Sequence, residues 1–347
     1  MRQIIVYRYG HRPARDKRIT THVALTARAM GADGIIIDVP DKGIEENIAS
    51  VNRNFGGNFN VQSGMNVNTF MNTRIENGII IHLTMYGQPI EEKIEEIRKR
   101  VESVDKVYIF VGAEKVPGIA YLKSDFNISV TNQPISEVSA LAILLDRLNE
   151  GKELSRSTHG RLKISGHERG KDVTFYPDRK DCMDLLLKHS ANEWLIEHSI
   201  AVNSIAMKIC DKVNCNREVV DAGSFLHDIG RTVRNDIWHS FEGYRICKDE
   251  RIADEICRCV LKHTGAGIEK GEAMELGLPP ENYMPETLEE KIVATADNLI
   301  HGNERITIQD QLKRYEEKGL HAAAERMRAL FQEISQKSGL DLDALEI

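Results

Sequence analysis

Thr131-Asn-Gln-Pro-Ile-Ser-Glu-Val-Ser-Ala-Leu-Ala-Ile-Leu-Leu-Asp-Arg-Leu148 reads as a rigid polar loop feeding a helix. Pro134 presets φ for a turn or a first helical position, Ser136 is placed to cap, and Glu137 suits the positive end of the helix dipole. Val138, Leu141, Ala142, Leu145 and Leu148 then recur at spacings of three and four, which predicts a helix that buries one face. Asn132 and Gln133 in such a loop offer fixed donors and acceptors to a small molecule. An ordinary strand-to-helix connection would carry the same residues, so the decision rests on what lies upstream.

Upstream, short apolar runs alternate with amphipathic stretches. Strand-like segments fall at residues 3–9, 34–38, 60–63, 78–83 and 106–111. Helical patterns fit 44–54 and 90–101, and a further helix through Val23, Leu25, Ala27 and Met30 is expected to be capped by Thr20 or Thr21 and stopped by Gly31. Several of the strands are continuously apolar, which predicts a mostly parallel sheet covered on both faces. Residues 150–176, with four glycines and several cations, read as an extended or hairpin appendage; from Cys182 onward the pattern is helical throughout. The expected division is therefore an α/β domain over 1–177 and an all-α domain over 178–347.

A chain of 347 residues suits two domains, and 41% hydrophobic with 29% charged residues suits a soluble globular protein. No apolar run approaches a membrane span and the start lacks a signal peptide's apolar core, so a cytoplasmic protein is expected. The six cysteines show no zinc-ribbon spacing and read as reduced, packed thiols. Charge is unevenly divided: residues 1–177 carry 24 Lys and Arg against 21 Asp and Glu, whereas 178–347 carry 22 against 32. The cations Arg2, Arg8, Arg12, Arg15, Lys17 and Arg18 precede residue 20 with only Asp16 opposing, which favours a phosphate-rich partner for the first half; a solvated basic face is the competing reading.

Three loops fall where strands should end: Leu83-Thr-Met-Tyr-Gly-Gln-Pro89, Val111-Gly-Ala-Glu-Lys-Val-Pro117 and Thr131-Asn-Gln-Pro-Ile-Ser136. Open parallel sheets bind ligands at that edge. None has the Gly-x-Gly-x-x-Gly spacing of a dinucleotide site. Together with Gly10-His-Arg-Pro-Ala-Arg-Asp-Lys-Arg-Ile-Thr-Thr-His22, these loops resemble the archaeal-type tRNA (cytidine-56) 2′-O-methyltransferase family of the SPOUT superfamily, almost continuously over residues 1–175. The resemblance implies a trefoil-knotted α/β fold, a homodimer, S-adenosylmethionine as methyl donor, and a T-loop ribose of tRNA as acceptor. By the same resemblance Leu83, Gly87, Gly112, Glu114, Lys115, Val130, Asn132, Gln133, Ile135 and Val138 would line the donor pocket. Related enzymes use an arginine near the reacting hydroxyl; Arg12 and Arg18 are the candidates, with Arg12 reading equally as a phosphate clamp. His11 and His22 read as structural or RNA-contacting.

In the helical half, His198, His227-Asp228, His239, His263 and Asp297 are residue types that suit mixed nitrogen and oxygen coordination of iron, manganese, zinc or magnesium. The order of His198, His-Asp-Ile-Gly230 and Ala-Thr-Ala-Asp297 resembles the HD phosphohydrolase superfamily. That resemblance implies one metal on His198, His227, Asp228 and Asp297, a second involving His239 and His263, and an activated water attacking a phosphoester. Arg231 stands where the family often has lysine and is a candidate phosphate contact, as is Arg305, which reads equally as a surface salt bridge. The acidic balance of this half favours a small phosphoester over a long polyanion. The rival readings are a non-enzymatic tRNA-binding module with a metal-stabilised helical appendage, and an HD domain without turnover.

Overall fold

A computed structural model of the chain describes residues 2–72, 78–113, 115–156, 158 and 160–347. It divides into two compact units, Met1–Gly160 and Arg161–Ile347.

The first unit is a parallel sheet with helices on both faces. Its elements are β1 (Gln3–Tyr9), α1 (Pro13–Ala29), β2 (Gly34–Ile37), α2 (Lys42–Phe55), β3 (Asn60–Ser63), α3 (Val67–Asn72), β4 (Gly78–Pro89), α4 (Ile90–Glu102), β5 (Lys106–Gly112), α5 (Gly118–Lys123), β6 (Phe126–Ser129) and α6 (Glu137–Asn149). The strand order is β3-β2-β1-β5-β4-β6, and every pairing is parallel. Central strands of such a sheet are buried on both sides, which is why Gly34–Ile37 is a wholly buried run. One face packs α1, α2, α4 and α6 through Val23, Ile48, Ile97 and Leu145; the other packs α3 and α5 through Phe70 and Ala120.

The opening stretch behaves as its residues predict. Ser136 caps α6 by accepting from the Val138 amide at 3.2 Å, and Leu141, Leu145 and Leu148 are buried together with Leu144. The first helix needs correction. It begins at Pro13, whose fixed φ suits a first turn, and Thr20 is buried inside it, its hydroxyl 2.9 Å from His11 Nδ1 rather than capping.

The second unit opens with an antiparallel hairpin, β7 (Leu162–Ser165) and β8 (Asp172–Phe175). Helices α7 (Arg179–Lys188), α8 (Glu193–Cys210), α9 (Arg217–Leu226), α10 (His239–Asp249), α11 (Asp254–Lys262), α12 (Lys270–Glu275) and α13 (Leu288–Asn298) follow. Two two-residue strands, β9 (Ile300–His301) and β10 (Glu304–Arg305), precede α14 (Ile308–Glu317) and α15 (His321–Ser338). The hairpin expected to close the α/β half groups with the helical one. The Phe175 amide donates to Arg251 O at 3.0 Å and the Ala253 amide to Phe175 O at 2.9 Å, so main-chain pairing ties β8 to the bundle. The six cysteines are free, and all but Cys215 are buried. Among the described residues, no helix is long and apolar enough to cross a membrane.

Candidate functional site

In the first unit a cavity of about 550 Å³ opens at the carboxyl ends of β4, β5 and β6. It is within the size range of small-molecule sites. The long strand β4 makes it possible. Leu83 and Gln88 both register with Ile128 of β6, so residues 84–87 bulge out of the ladder. Gly87 permits this: a Cβ there would lie 2.5 to 2.6 Å from backbone atoms of Asn127 and Ile128. The bulge carries Thr84, Met85 and Tyr86 to the cavity wall, and Thr84 Oγ1 lies 3.0 Å from Tyr121 Oη. Buried His82 forms part of the wall, with Nδ1 2.8 Å from Asn127 Oδ1; burial depresses its pKa and outweighs that hydrogen bond.

Of the ten residues expected in the donor pocket, Leu83, Gly112, Lys115, Val130 and Ile135 line this cavity. Gly87 sits under it as a packing glycine. Asn132 and Gln133 are exposed and outside the lining, with Gln133 Nε2 donating to Asn132 Oδ1 at 3.1 Å. Val138 packs against the apolar core, and Glu114 lies outside the described residues.

The basic opening divides in two. Arg12 precedes α1 and its Nε donates to Asp16 Oδ2 at 2.6 Å; Arg18 is exposed on α1, and neither lines the cavity. His11 is buried between Thr20 and Asp41, the structural role expected of it. Arg8, grouped by sequence with the exposed cations, is instead wholly buried. Its Nη2 donates to Glu137 Oε1 at 2.9 Å, while Nε and Nη1 have no partner. Burial lowers its pKa against the opposing pull of Glu137. Glu137 lines the cavity. Sequence reasoning missed this pair because the strand run and the helix start were read separately.

In the second unit all six candidate ligands converge. His198 comes from α8, His227 and Asp228 follow α9, His239 opens α10, His263 follows α11, and Asp297 lies in α13. His198 Nε2 lies 3.2 Å from His227 Nε2, 3.3 Å from Asp297 Oδ1 and 3.6 Å from Asp228 Oδ2. On the other side of Asp228, its Oδ1 is 3.2 Å from both His239 Nε2 and His263 Nε2, which are themselves 3.0 Å apart. Asp228 thus gives one oxygen to each half.

The tautomers follow from the outer hydrogen bonds. The Nδ1 atoms of His198, His227, His239 and His263 face the carbonyl oxygens of Gly302, Ser224, Asp236 and Val260 at 2.5 to 2.7 Å. A carbonyl only accepts, so each Nδ1 carries the proton and each neutral ring turns an Nε2 lone pair inward. Lone pairs and carboxylates gathered at such distances repel unless a cation or protons lie among them. Buried Asp228 Oδ1 has no hydrogen-bond partner, which agrees with a metal-holding arrangement. Burial alone would raise the Asp228 and Asp297 carboxyls, but the charge and N–H bonds of the surrounding imidazoles, when these are also protonated at Nε2, outweigh it and hold both well below the usual range. His198 is pulled the other way: Asp297 and Asp228 overcome burial and raise it.

Arg231 lines the adjoining cavity of about 280 Å³ and its Nε donates to Asp228 Oδ2 at 2.5 Å. Arg305 does not reach that cavity. It donates to the carbonyls of Leu345, Leu299 and Leu342 at 2.5 to 3.0 Å and so anchors the chain's last residues. The expectation of a phosphate contact at Arg305 is corrected accordingly.

Comparison with known proteins supports both halves. A family model described as tRNA ribose 2′-O-methyltransferase, aTrm56, matches residues 55–174, and one described as HD domain matches 195–301. A Pyrococcus horikoshii protein named tRNA (cytidine(56)-2′-O)-methyltransferase is 48% identical over 172 residues, 49% of this chain and 84% of its own length. A Picrophilus torridus protein of the same name is 49% identical over 340 residues, 98% of each chain. One from Thermoplasma volcanium is 50% identical over 343 residues, 99% of this chain and 100% of that protein. Identity of this order over the whole of both chains shows that this chain belongs to the tRNA (cytidine(56)-2′-O)-methyltransferase family.

Proposed function

We propose that the first unit transfers a methyl group from S-adenosylmethionine to the ribose 2′-oxygen of cytidine 56 in the T-loop of tRNA. The cavity at the carboxyl ends of β4, β5 and β6 carries this reading, because five of the expected donor-pocket residues meet there. Loop amides at Gly112 and Val130 would hold the donor, and Met85, Tyr86 and Ile135 would exclude water from the transferring methyl. In-line positioning of hydroxyl and methyl would then supply much of the rate. Arg15, Lys17 and Arg18 lie exposed on α1 and suit phosphate contacts, and Arg12 remains a candidate near the reacting hydroxyl. We further propose the trefoil-knotted SPOUT fold and a cytoplasmic homodimer. Exposed Met85, Tyr86, Ile135 and Ile143, at the cavity and on α6, form the apolar surface that a second copy would cover.

For the second unit we propose a binuclear metal phosphohydrolase acting on a nucleotide phosphoester. His198, His227, Asp228 and Asp297 would hold one ion, and His239, His263 and the second oxygen of Asp228 the other. When bound, iron, manganese, zinc or magnesium would supply Lewis acidity toward phosphate and a more acidic water. Arg231 would contact the phosphate. Trp194, 45% exposed and parallel to the His198 ring at 5.5 Å, offers an aromatic face beside the metal cluster for a base.

Transfer of labelled methyl to a tRNA transcript, lost when cytidine 56 is replaced by its 2′-deoxy form, tests the first activity. A folded protein that methylates neither transcript overturns it. Metal analysis and a nucleotide panel assayed with Asp228→Ala test the second, and rates unchanged in that variant exclude the proposed centre.

A further inference from the structure

We propose that Glu137 accepts the proton of the target 2′-hydroxyl during methyl transfer, and that Arg8 is the positioning residue that holds it for this purpose; the inference rests on the methyltransferase reading above. Among the described residues lining the cavity, Glu137 is the one carboxylate. Its side chain is a quarter exposed, and Oε1 is fixed on Arg8 Nη2 at 2.9 Å, which leaves Oε2 without a hydrogen-bond partner among the described residues. Arg12 and Arg18, the arginines the sequence offered for this task, are outside the lining.

Arg8 gives the second, independent observation. Its neighbours on the same strand face, Ile4 and Val6, belong to the apolar core, and an aliphatic residue would suit the position equally well. Instead a guanidinium is fully buried, with Nε and Nη1 lacking a hydrogen-bond partner among the described residues; Glu137 is the acid it hydrogen-bonds, while Asp16 and Asp38 act on it through charge alone. Burying a charge with unmet donors is destabilising, and such an arrangement calls for a role other than stability. The role available here is to fix a carboxylate at the first residue of α6, where it faces the cavity.

The step balances without a further reactant. The O2′–H bond breaks and its proton passes to Glu137 Oε2; an O2′ lone pair forms the bond to the methyl carbon; the S–CH₃ bonding pair returns to sulfur. The sulfonium becomes a thioether, so the donor's positive charge and the carboxylate's negative charge vanish together.

The test uses full-length protein, a tRNA transcript and labelled donor. Glu137→Gln preserves an oxygen for Arg8 but cannot take the proton. Its kcat should fall about a hundredfold or more, the usual worth of a positioned base. KM for the donor should stay within about twofold. Arg8→Lys, whose single-point cation holds Oε1 less well than the guanidinium, should lower kcat while donor KM stays unchanged; a residue that only supports the fold would not give that kcat-against-KM split. Wild-type kcat in Glu137→Gln overturns the proposal, as does a loss confined to donor KM, which would make Glu137 a donor-binding group. Should Glu137→Gln fail to fold, Arg8→Lys decides, and wild-type kcat in that variant overturns the proposal. Wild-type protein inactive toward tRNA would instead defeat the methyltransferase reading on which it rests.

Discussion

Gly230 explains the last letter of His-Asp-Ile-Gly, and replacing it with alanine is the most demanding test of the helical half. It lies in a tight 3-10 turn, Ile229–Thr232, directly after the bridging Asp228. A Cβ at this position would fall on the carbonyl of His239 and the amide of Gly243, both backbone atoms of α10, where no rotamer change can relieve it. Ordinary Cβ contacts begin near 3.4 Å, so turn and helix would have to separate by roughly an ångström and a half. Overpacking of this kind costs about 1–3 kcal/mol. At about 2–4 °C per kcal/mol for a unit of this size, the helical half should melt several degrees lower. The larger effect is local. His239 is the first residue of α10, and its Nε2 now sits 3.2 Å from Asp228 Oδ1 and 3.0 Å from His263 Nε2. Coordination tolerates only about 0.2 Å, so the half of the centre made by His239 and His263 should be lost. The half made by His198, His227 and Asp297, carried on α8, the end of α9 and α13, should persist. Metal analysis after dialysis should therefore fall from two ions per chain to one, together with the lower melting temperature. Two ions at wild-type affinity in Gly230→Ala would refute the reasoning, because it would mean that α10 need not move.

Three further outcomes are expected. Gly87→Ala should abolish donor binding by calorimetry, since its methyl would meet the Asn127 and Ile128 backbone at 2.5 to 2.6 Å and force β4 off β6; binding within a few-fold of wild type would contradict the assigned bulge. His82 is buried with its pKa lowered, so its contribution is full above the unfolded value of about 6.5 and is lost as pH falls below it, by up to about 1.4 kcal/mol per pH unit until the folded value is reached. Urea midpoints of the first unit from pH 7.5 to 5 should fall, and His82→Gln should flatten that slope. Arg305→Ala should destabilise the helical half by about 1–3 kcal/mol by orphaning three carbonyls, while leaving the KM for a phosphoester unchanged.

How far the sequence discloses each site depends on what the site is made of. The cluster in the helical half is made of side chains, and imidazole and carboxylate are uncommon enough in buried helices that their order along the chain marked all six residues that converge there. Their pairing into two halves around Asp228 was a family expectation that the distances now support. Arg305 misled because a cation after Asp297 looks the same in sequence whether it meets phosphate or the carbonyls of a terminal segment. The hairpin's pairing near Ile252 was illegible for a similar reason: the partner is remote in sequence and uses main-chain atoms, which carry no residue signature.

The cavity of the first unit is walled largely by loops, so sequence displays it only through the residues that permit unusual conformations. Gly87 and Pro134 mark its loops, but nothing in a list of residues says that Gly87 lies beneath the wall rather than on it, or that Asn132 and Gln133 turn outward. Arg8 and Glu137 were invisible for a further reason. Each satisfies a local rule, a cation in a basic opening and a glutamate at a helix start, and each local rule is incomplete. Only the parallel register that sets β1 beside β5, and α6 across their ends, brings the two within 2.9 Å. Where local rules account for every residue, a sequence gives no reason to look further. A buried guanidinium with unmet donors is the kind of conflict that appears only after folding, and it is therefore a better pointer to chemistry than the exposed arginines the sequence put forward.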